Sequence, residues 1–391
     1  MISKIELGNF RCFETGKFEF SKGINVIDGK NGCGKTSVLE SVNLLCQGIS
    51  FRTRDLKEAV RWGNDEFIVR GSLGHDSEIV ERGILAGRCR TQARENGSSL
   101  RSPVAFFGNF PTVAMQPSDI ELLRGSPEVR RRWLDEILCY RSKANETVLR
   151  SYRRILLQRN QWLKQFKREG FATGGNDLFY VLTEQLVEWG VKLWIARLEL
   201  STEISPIITS YYRRLSRGND EITCDYKSSI IDRLDAMDSA EFLSDESIDA
   251  IPSNANTECL EREIPSEGAL KNAFTARLVE LEFAEKSQGL TLTGPHKDDL
   301  SLCASGFPMR SVGSQGQCRS AAIAMRFAAV DVASIYRNNP ILLLDDIFAE
   351  LDVDRRDAVA SLISEKECQM IVATPEASEL PFRADTEIRL Q

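Results

Sequence analysis

An α/β head built from both ends of the chain and interrupted by a mainly helical insertion is the fold the sequence predicts, and three observations predict it. Gly29-Lys30-Asn31-Gly32-Cys33-Gly34-Lys35-Thr36 stands near the start, and Ile341-Leu342-Leu343-Leu344-Asp345-Asp346 stands near the end. Strand-like and helix-like segments alternate around both. The first motif fits a phosphate loop, in which glycines let successive backbone N–H groups curl around an anion, a lysine neutralises charge and a hydroxyl reaches a divalent cation. Such a loop and its acidic partner must meet at one site. The two ends of the chain therefore fold together, and what lies between them is an insertion.

Taken in order, residues 2–9 and 17–28 read as strands leading into the loop, and residues 35–48 as the helix it opens, whose N-terminal dipole favours an anion. Alternating runs around 65–95 and 104–115 predict further antiparallel strands. At Pro117 the pattern changes to helical periodicity that runs to about Glu169, where Gly170 and Gly174-Gly175 break it. A second helical stretch spans 176–217, with Leu182, Leu186, Trp189, Leu193, Ala196 and Leu200 at three- and four-residue spacing. Pro206 is expected to kink or divide it. Two long helices about a Gly-rich turn predict an antiparallel helical arm. A strand at 221–227, an acidic loop at 238–268 and a helix at 269–286 lead back to the head. There strands at 289–293 and 299–303, a helix at 315–336, a strand at 341–345, a helix at 354–364 and a strand at 369–374 complete the alternation. Residues 1–116 and 288–391 are assigned to the head and 117–287 to the insertion.

With 391 residues, 42% hydrophobic and 27% charged, the chain has an ordinary globular composition and can bury one large core plus a smaller module. It contains no apolar run of the roughly 18–20 residues that a membrane helix needs and no secretion signal, so a cytoplasmic location without a membrane partner is expected. Ten cysteines never form Cys-x-x-Cys and only two histidines occur, which disfavours a zinc site, including a zinc hook at the helical turn near 170–176. The net charge of −7 conceals a dipolar layout. Arg124 to Arg168 carries thirteen basic residues and four acids, whereas Asp232 to Glu267 carries eleven acids and two arginines. That asymmetry suits a basic patch serving a polyanion, the plainer reading being a solvated helix face. Arg150, Arg153, Arg154 and Lys164 lie within helical reach of one another. Trp133, Tyr152 and Trp162 either stack on bases or pack in a core.

Four apolar residues ending in Asp345-Asp346 predict a buried strand whose carboxylates emerge at its C-terminal edge, where open parallel sheets bind ligands. Asp345 is placed to bind Mg²⁺ together with Thr36. Asp346 is suited to polarise an attacking water or to hold magnesium waters. Lys35, Asp345 and Asp346 form the candidate catalytic set, and Gly29, Lys30, Asn31, Gly32, Cys33, Gly34, Lys35, Thr36 and Ser37 the candidate nucleotide-binding set. Cys33 sits beside a lysine and a helix N-terminus, a setting for a redox-active thiol or simply a tolerated small side chain. His296 is either an acid or base or a structural residue at a strand end, and Asp298 and Asp299 read as turn residues.

Ser314-Gln315-Gly316-Gln317, ahead of an Ala-rich helix, resembles the Ser-Gly-Gly-Gln signature of ABC-type ATPases, whose serine closes over the phosphate held by the opposite subunit. Its plainer reading is a helix cap. Ala349-Glu350-Leu351-Asp352 resembles the ABC D-loop, and Gln116 the Q-loop glutamine or a turn cap. Asn9-Phe10-Arg11 resembles the N-terminal motif of SMC-like heads, whose arginine approaches nucleotide phosphates, although a surface arginine at a strand end would read the same way.

In this order the motifs resemble the RecF family of bacterial DNA-repair ATPases. The resemblance rests further on Gly294-Pro295-His296-Lys297-Asp298-Asp299-Leu300, on Gly125-Ser126-Pro127 with Arg130-Arg131-Arg132-Trp133-Leu134-Asp135, and on the double aspartate, where most ABC ATPases place Glu second. It covers the chain outside the acidic segment. The chain departs from the family at Cys318, where a polar residue is common, and in the length of the 238–268 stretch. From ABC ATPases in general it departs at Val372-Ala373-Thr374, where an H-loop histidine would follow the strand. The resemblance implies an ABC-type, SMC/Rad50-like P-loop head that binds ATP with Mg²⁺ and dimerises head to head, with Ser314 completing the partner's site. It also implies weak DNA-stimulated ATPase activity, binding to single-stranded and gapped or junction DNA through the basic helices, recombinase loading with RecO and RecR, and release on hydrolysis. The alternative is a nucleotide-regulated DNA clamp with negligible turnover. Thr374 and the helical insertion disfavour a transporter ATPase.

Overall fold

The computed structural model describes residues 1–75, 78–88, 90–169, 176–216, 221–235, 264–337, 340–349 and 351–390. The expected Gly-rich turn at 170–175, nearly all of the acidic 238–268 loop and Glu350 lie outside them. From the start the elements run β1 (Ile2–Phe10), β2 (Phe13–Glu19), β3 (Ile24–Asp28), α1 (Lys35–Gln47), β4 (Glu66–His75), β5 (Glu78–Gly87), β6 (Thr91–Glu95), β7 (Ser98–Leu100) and β8 (Thr112–Met115). Then come α2 (Glu121–Arg124), α3 (Pro127–Arg141), α4 (Lys143–Glu169), α5 (Asn176–Leu215), β9 (Ile222–Lys227) and α6 (Glu267–Gln288). The chain closes with β10 (Asp299–Ala304), β11 (Phe307–Pro308), α7 (Met309–Val312), α8 (Gln315–Arg337), β12 (Ile341–Asp345), α9 (Val353–Ser364), β13 (Met370–Thr374) and β14 (Thr386–Arg389). Among the described residues no helix is long and apolar enough to cross a membrane.

The chain divides into two compact units. The first comprises Met1–Ile120, Tyr211–Gly218 and Arg319–Gln391, and holds two sheets. One is antiparallel, in the order β2-β1-β4-β5-β6-β7; the other is β14-β3-β13-β12-β8, with every neighbouring pair parallel. In the parallel sheet the N-terminal β3 lies between β13 and β14, which come from the far end of the chain. Continuous apolar runs such as Ile341–Asp345 and Met370–Thr374 suit strands covered on both faces, and both are buried throughout. Helix α1 is buried at every position except Thr36. Its Val38, Leu39 and Val42 share one core with Ile5 and Val69 of the antiparallel sheet and with Leu343 and Ile371 of the parallel sheet. Its buried polar side chains are paired: Asn43 accepts from Thr112 Oγ1 at 2.5 Å, and Gln47 donates to the Phe110 carbonyl at 3.0 Å.

The second unit, Glu121–Ser210 with Asn219–Cys318, is mainly helical and carries the small antiparallel sheet β11-β10-β9. α4 and α5 meet where Arg159 Nε donates to Thr183 Oγ1 at 3.0 Å and Trp162 packs on Phe179 at 4.7 Å between centroids. The Gly294–Leu300 stretch sits in a buried polar network. Asp298 accepts from Trp194 Nε1 at 2.5 Å and from Tyr226 OH at 2.8 Å, and burial pushes its carboxyl up against those hydrogen bonds. Arg130 grips Asp299 with two nitrogens at 2.7 and 2.8 Å. Arg197 pairs with Asp135 at 2.7 Å. Asp298 and Asp299 are therefore anchors of a charge network, not simple turn residues. His296 is structural as well: its Nε2 donates to the Thr291 carbonyl at 3.2 Å, which leaves Nδ1 to accept from Tyr152 OH at 2.7 Å.

Several boundaries differ from the sequence expectation. The 17–28 run is two strands, β2 and β3. Residues 103–106 form a 3-10 turn in place of strand. The helical run after Pro117 breaks at Gly125-Ser126, where Pro127 starts α3 in its favoured first-turn position, and again at Ser142. Residues 289–293 are not a strand, because side chains take their backbone donors: Thr291 N donates to Asn160 Oδ1 and Leu292 N to Glu285 Oε1, each at 2.8 Å. Pro206 does not divide α5. Ile204 and Ile208 are buried on either side of it, and Ser205 and Thr209 hydroxyls donate to Cys224 and Ile222 carbonyls of β9. The second unit ends at Cys318 and not at 287, because β10 pairs with β9 along its whole length.

Burial lowers the His296 pKa from 6.5 to about 4. As pH falls, the unfolded chain takes up this proton first, so stability present above pH 6.5 is lost progressively towards pH 4. Between pH 7.5 and 5 the residue should remove about 2 kcal/mol of unfolding free energy. Urea unfolding at the two pH values should show that increment in wild type, while His296→Gln should show a smaller pH dependence by the same amount.

Candidate nucleotide site

Residues 29–34 turn tightly between β3 and α1 and leave the helix N-terminus without a side-chain cap. Gly34 has φ of 107°, and a Cβ there would lie 2.6 Å from Cys12 Sγ and 2.7 Å from the Phe13 ring, so only glycine fits. Lys35 Nζ donates to the carbonyls of Gly29 at 2.5 Å and Lys30 at 3.1 Å, bracing the loop. The uncapped N–H groups and the helix dipole make the enclosed space an anion site.

A cleft of about 530 Å³ opens over this loop, lined by Asn31, Gly32, Gly34, Lys35, Thr36 and Ser37, by Asp345 and Asp346, and by Arg11, Cys12, Arg52, Glu58 and Val60. Thr36 Oγ1 donates to Asp345 Oδ1 at 3.0 Å, joining residues 309 positions apart in sequence. Burial raises the Asp345 pKa, opposed by the Thr36 hydrogen bond; burial also raises that of Asp346, opposed by Lys35. Asp346 holds φ of 50°, an uncommon left-handed conformation for a residue with a side chain, and its N–H donates to the Ala373 carbonyl at 3.0 Å. A hydroxyl and a carboxylate in contact beside a phosphate loop are hard oxygen donors of the kind Mg²⁺ takes alongside phosphate oxygens and water.

The other sequence candidates are distributed as follows. Arg11 lines the cleft, but its guanidinium is held by Glu40 of α1, with Nε to Oε2 at 2.8 Å and Nη2 to Oε1 at 2.6 Å, and it donates to the Glu58 carbonyl at 2.7 Å. Cys33 is half-buried, and the exposed Cys12 brings its Sγ to 4.0 Å from the Cys33 carbonyl. Gln116 lies outside the cleft and borders a separate hollow of about 30 Å³ that Asp346 also lines. Asp352 is the N-cap of α9, accepting from Arg355 N at 2.9 Å. Ser314 and Gln317 form a reciprocal cap at the start of α8: Gln317 N donates to Ser314 Oγ at 3.2 Å, and Ser314 N to Gln317 Oε1 at 2.9 Å. Ser314 and Gln315 are exposed, and all four signature residues fall within the second unit.

On α4, Arg150, Arg153, Arg154 and Lys164 are exposed. Arg150 pairs with Glu146, and Arg153 with Asp135 at 2.9 Å. Arg130 and Arg159 of the same basic run are buried in ion pairs, the latter with Glu285 at 2.7 Å. Trp133 and Tyr152 are core residues, and Trp162 stacks within the protein on Phe166 at 5.1 Å. Sequence reasoning missed Arg52, which lines the cleft 3.5 Å from Glu40 Oε2. A single arginine after Phe51 carries no local mark of that position.

A phosphate loop, an acidic strand end and an antiparallel sheet packed on a shared helix define the class as an ABC-type ATPase head of the SMC kind. An SMC head bound to the winged-helix domain of ScpA superposes with a TM-score of 0.52 at 17% identity over 99% of this chain and 93% of that one. Residues 4–118 match the AAA domain family. The protein named DNA replication and repair protein RecF from Heliobacterium modesticaldum is 33% identical over 95% of this chain and 92% of its own, and that from Geobacter metallireducens is 30% identical over 97% and 94%. The solved structure of the recombination mediator protein RecF with ATP, in the RecFOR pathway, aligns over 100% of this chain and 95% of that one, with a TM-score of 0.82 at 26% identity. The chain belongs to the RecF family.

Glu40 is fully buried and Arg11 largely so. Removing the cation leaves a buried carboxylate with its principal partner gone. Arg11→Ala should therefore lower unfolding free energy by about 3 kcal/mol, read as a shift of the denaturation midpoint without ligand. A change below about 0.5 kcal/mol would contradict the pairing.

Proposed function

We propose that this protein is an ATP-dependent DNA-binding protein of recombinational repair and replication-fork maintenance, acting in the cytoplasm as an ATP-induced homodimer with weak, DNA-stimulated ATPase activity. The observation that carries the reading is the Thr36–Asp345 contact inside a phosphate-loop cleft, since it joins a triphosphate cradle to a metal-binding acid. Thr36 and Asp345 would hold Mg²⁺, which supplies charge neutralisation on the phosphates when bound. Lys35 and the N–H groups of residues 32–37 bind and orient the triphosphate, and Asp346 accepts the hydrogen bond that aligns the attacking water.

The dimer reading is supported by an exposed Ser314 at an ordered helix N-terminus, suited to close over a phosphate of a second copy. Nucleotide then acts as an interfacial ligand whose loss releases the partner. DNA binding is supported by the exposed cationic side chains of α4, which would contact phosphate without reading sequence. Single-stranded and gapped or junction DNA is the proposed substrate, and RecO and RecR the proposed partners in recombinase loading. Both follow from membership of the family and from the RecFOR context of its ATP-bound relative.

Gel filtration with and without MgATP tests the reading. Wild type should shift to a dimer with ATP, while Lys35→Ala and Ser314→Arg should remain monomeric. Asp346→Asn should still dimerise and bind gapped DNA but lose turnover by roughly a hundred-fold or more, the scale of a group acting mainly in the transition state. Turnover unaffected by both Asp346→Asn and Lys35→Ala would overturn the hydrolytic assignment. ATP-driven dimerisation with negligible wild-type turnover, even on gapped DNA, would favour a nucleotide-regulated clamp.

A further inference from the structure

Asp346 borders two spaces. It lines the nucleotide cleft with Lys35 and Thr36, and it also lines the hollow of about 30 Å³ bordered by Gln116, Asp119, Arg319, Ala322 and Ile323. A space of that size walled by several polar residues has room for roughly one or two waters. The strands explain the juxtaposition. β8 and β12 are parallel neighbours with Met115 opposite Leu344, so Gln116 leaves β8 beside the point where Asp345 and Asp346 leave β12. Adjacent strands lie only about 4.8 Å apart.

Asp119 fixes Gln116 in that place. Its carboxylate accepts from the Gln116 backbone N–H at 2.9 Å, and its own N–H donates to the Gln116 carbonyl at 2.9 Å, which closes the 3-10 turn Pro117–Ile120 on the strand end. The other carboxylate oxygen accepts from Arg326 Nη2 at 2.7 Å, 207 positions away in sequence. The side chains of Asp119 and Arg326 are only 11% and 16% exposed, so their attraction is little screened by water. Arg326 is itself anchored, because Met325 and Phe327 on either side of it in α8 are fully buried. The pair thus references the backbone of Gln116 to a core helix whose Ala322 and Ile323 line the same hollow. We infer that Asp119 and Arg326 are positioning residues for hydrolysis, holding Gln116 against the water that Asp346 aligns. This rests on the reading of Asp346 as the hydrolytic carboxylate, and it adds two residues outside the nucleotide cleft that act through Gln116.

Steady-state ATP turnover of the full chain on gapped DNA, measured beside MgATP affinity and ATP-driven dimerisation, tests this with Asp119→Ala, Arg326→Ala, Arg326→Lys and Gln116→Ala. Asp119→Ala and Arg326→Ala should each lower kcat about ten-fold or more while KM, MgATP affinity and dimerisation stay within about two-fold, the pattern of a misplaced transition-state contact. Arg326→Lys should recover most of the turnover, because it restores a cation for Asp119. Adding Asp119→Ala to Gln116→Ala should cost nothing further, since the carboxylate acts through that glutamine. Should Asp119→Ala not fold, the comparison of Arg326→Ala with Arg326→Lys decides alone. Wild-type kcat in Asp119→Ala or Arg326→Ala, a loss carried by KM or dimerisation, or losses that multiply in the double variant would overturn the positioning role, provided Asp346→Asn is inactive. Asp346→Asn turning over like wild type, or a wild type without turnover, would overturn the hydrolytic reading with it.

Discussion

Helix α1 is the element on which the head depends. Burial at every position but Thr36 requires that it be covered on all sides, and the two sheets supply that cover. A helix enclosed in this way cannot rotate or slide without breaking paired polar groups, such as Asn43 with Thr112 and Gln47 with the Phe110 carbonyl. Its N-terminus is consequently a fixed point, and anion binding at a helix end gains from having its donors pre-aligned. The only position released from burial is the hydroxyl that meets Asp345.

Charge inside the head follows the same logic. Glu40 is enclosed near the middle of this helix and would be costly without a cation, and Arg11 supplies one from the end of β1. That pairing ties the helix to the Asn9–Arg11 stretch, which in turn is hydrogen-bonded to the backbone of Ala59 and Arg61. Arg11 and Val60, which line the cleft, are thereby tied to the helix that follows the phosphate loop. In the helical unit, Asp298 and Asp135 play a comparable part, each accepting from donors on two elements, and Asp299 is held by both nitrogens of Arg130.

What could be read from sequence was what is encoded locally. Lys35, Thr36, Asp345 and Asp346 announce themselves because backbone curvature, charge and a buried strand end need particular residues at fixed spacing. Ser314 and Gln317 were legible as a cap for the same reason. The partner of Arg11 was not, because Glu40 lies mid-helix and looks like any solvated glutamate. Residues 289–293 alternate like a strand, yet Asn160 and Glu285, distant or on the preceding helix, take their donors. Pro206 does not end its helix, and Ile204 and Ile208 on either side of it are buried. The boundary near 318 was hidden because the pairing of β10 with β9 is set by tertiary register and not by composition.

The position of β3 between β13 and β14 has a consequence for how the molecule is made. Asn25 donates a side-chain hydrogen bond to the Met370 carbonyl across 345 residues, so the strand that presents the phosphate loop depends on partners made much later in synthesis. Most of the helical unit is made before β12 and β13, so β3 is synthesised well ahead of its parallel neighbours. The phosphate loop is therefore made long before the strands that flank β3. A polypeptide that stops before β12 lacks Asp345, so the contact that Thr36 makes across the cleft cannot form until synthesis has passed that strand.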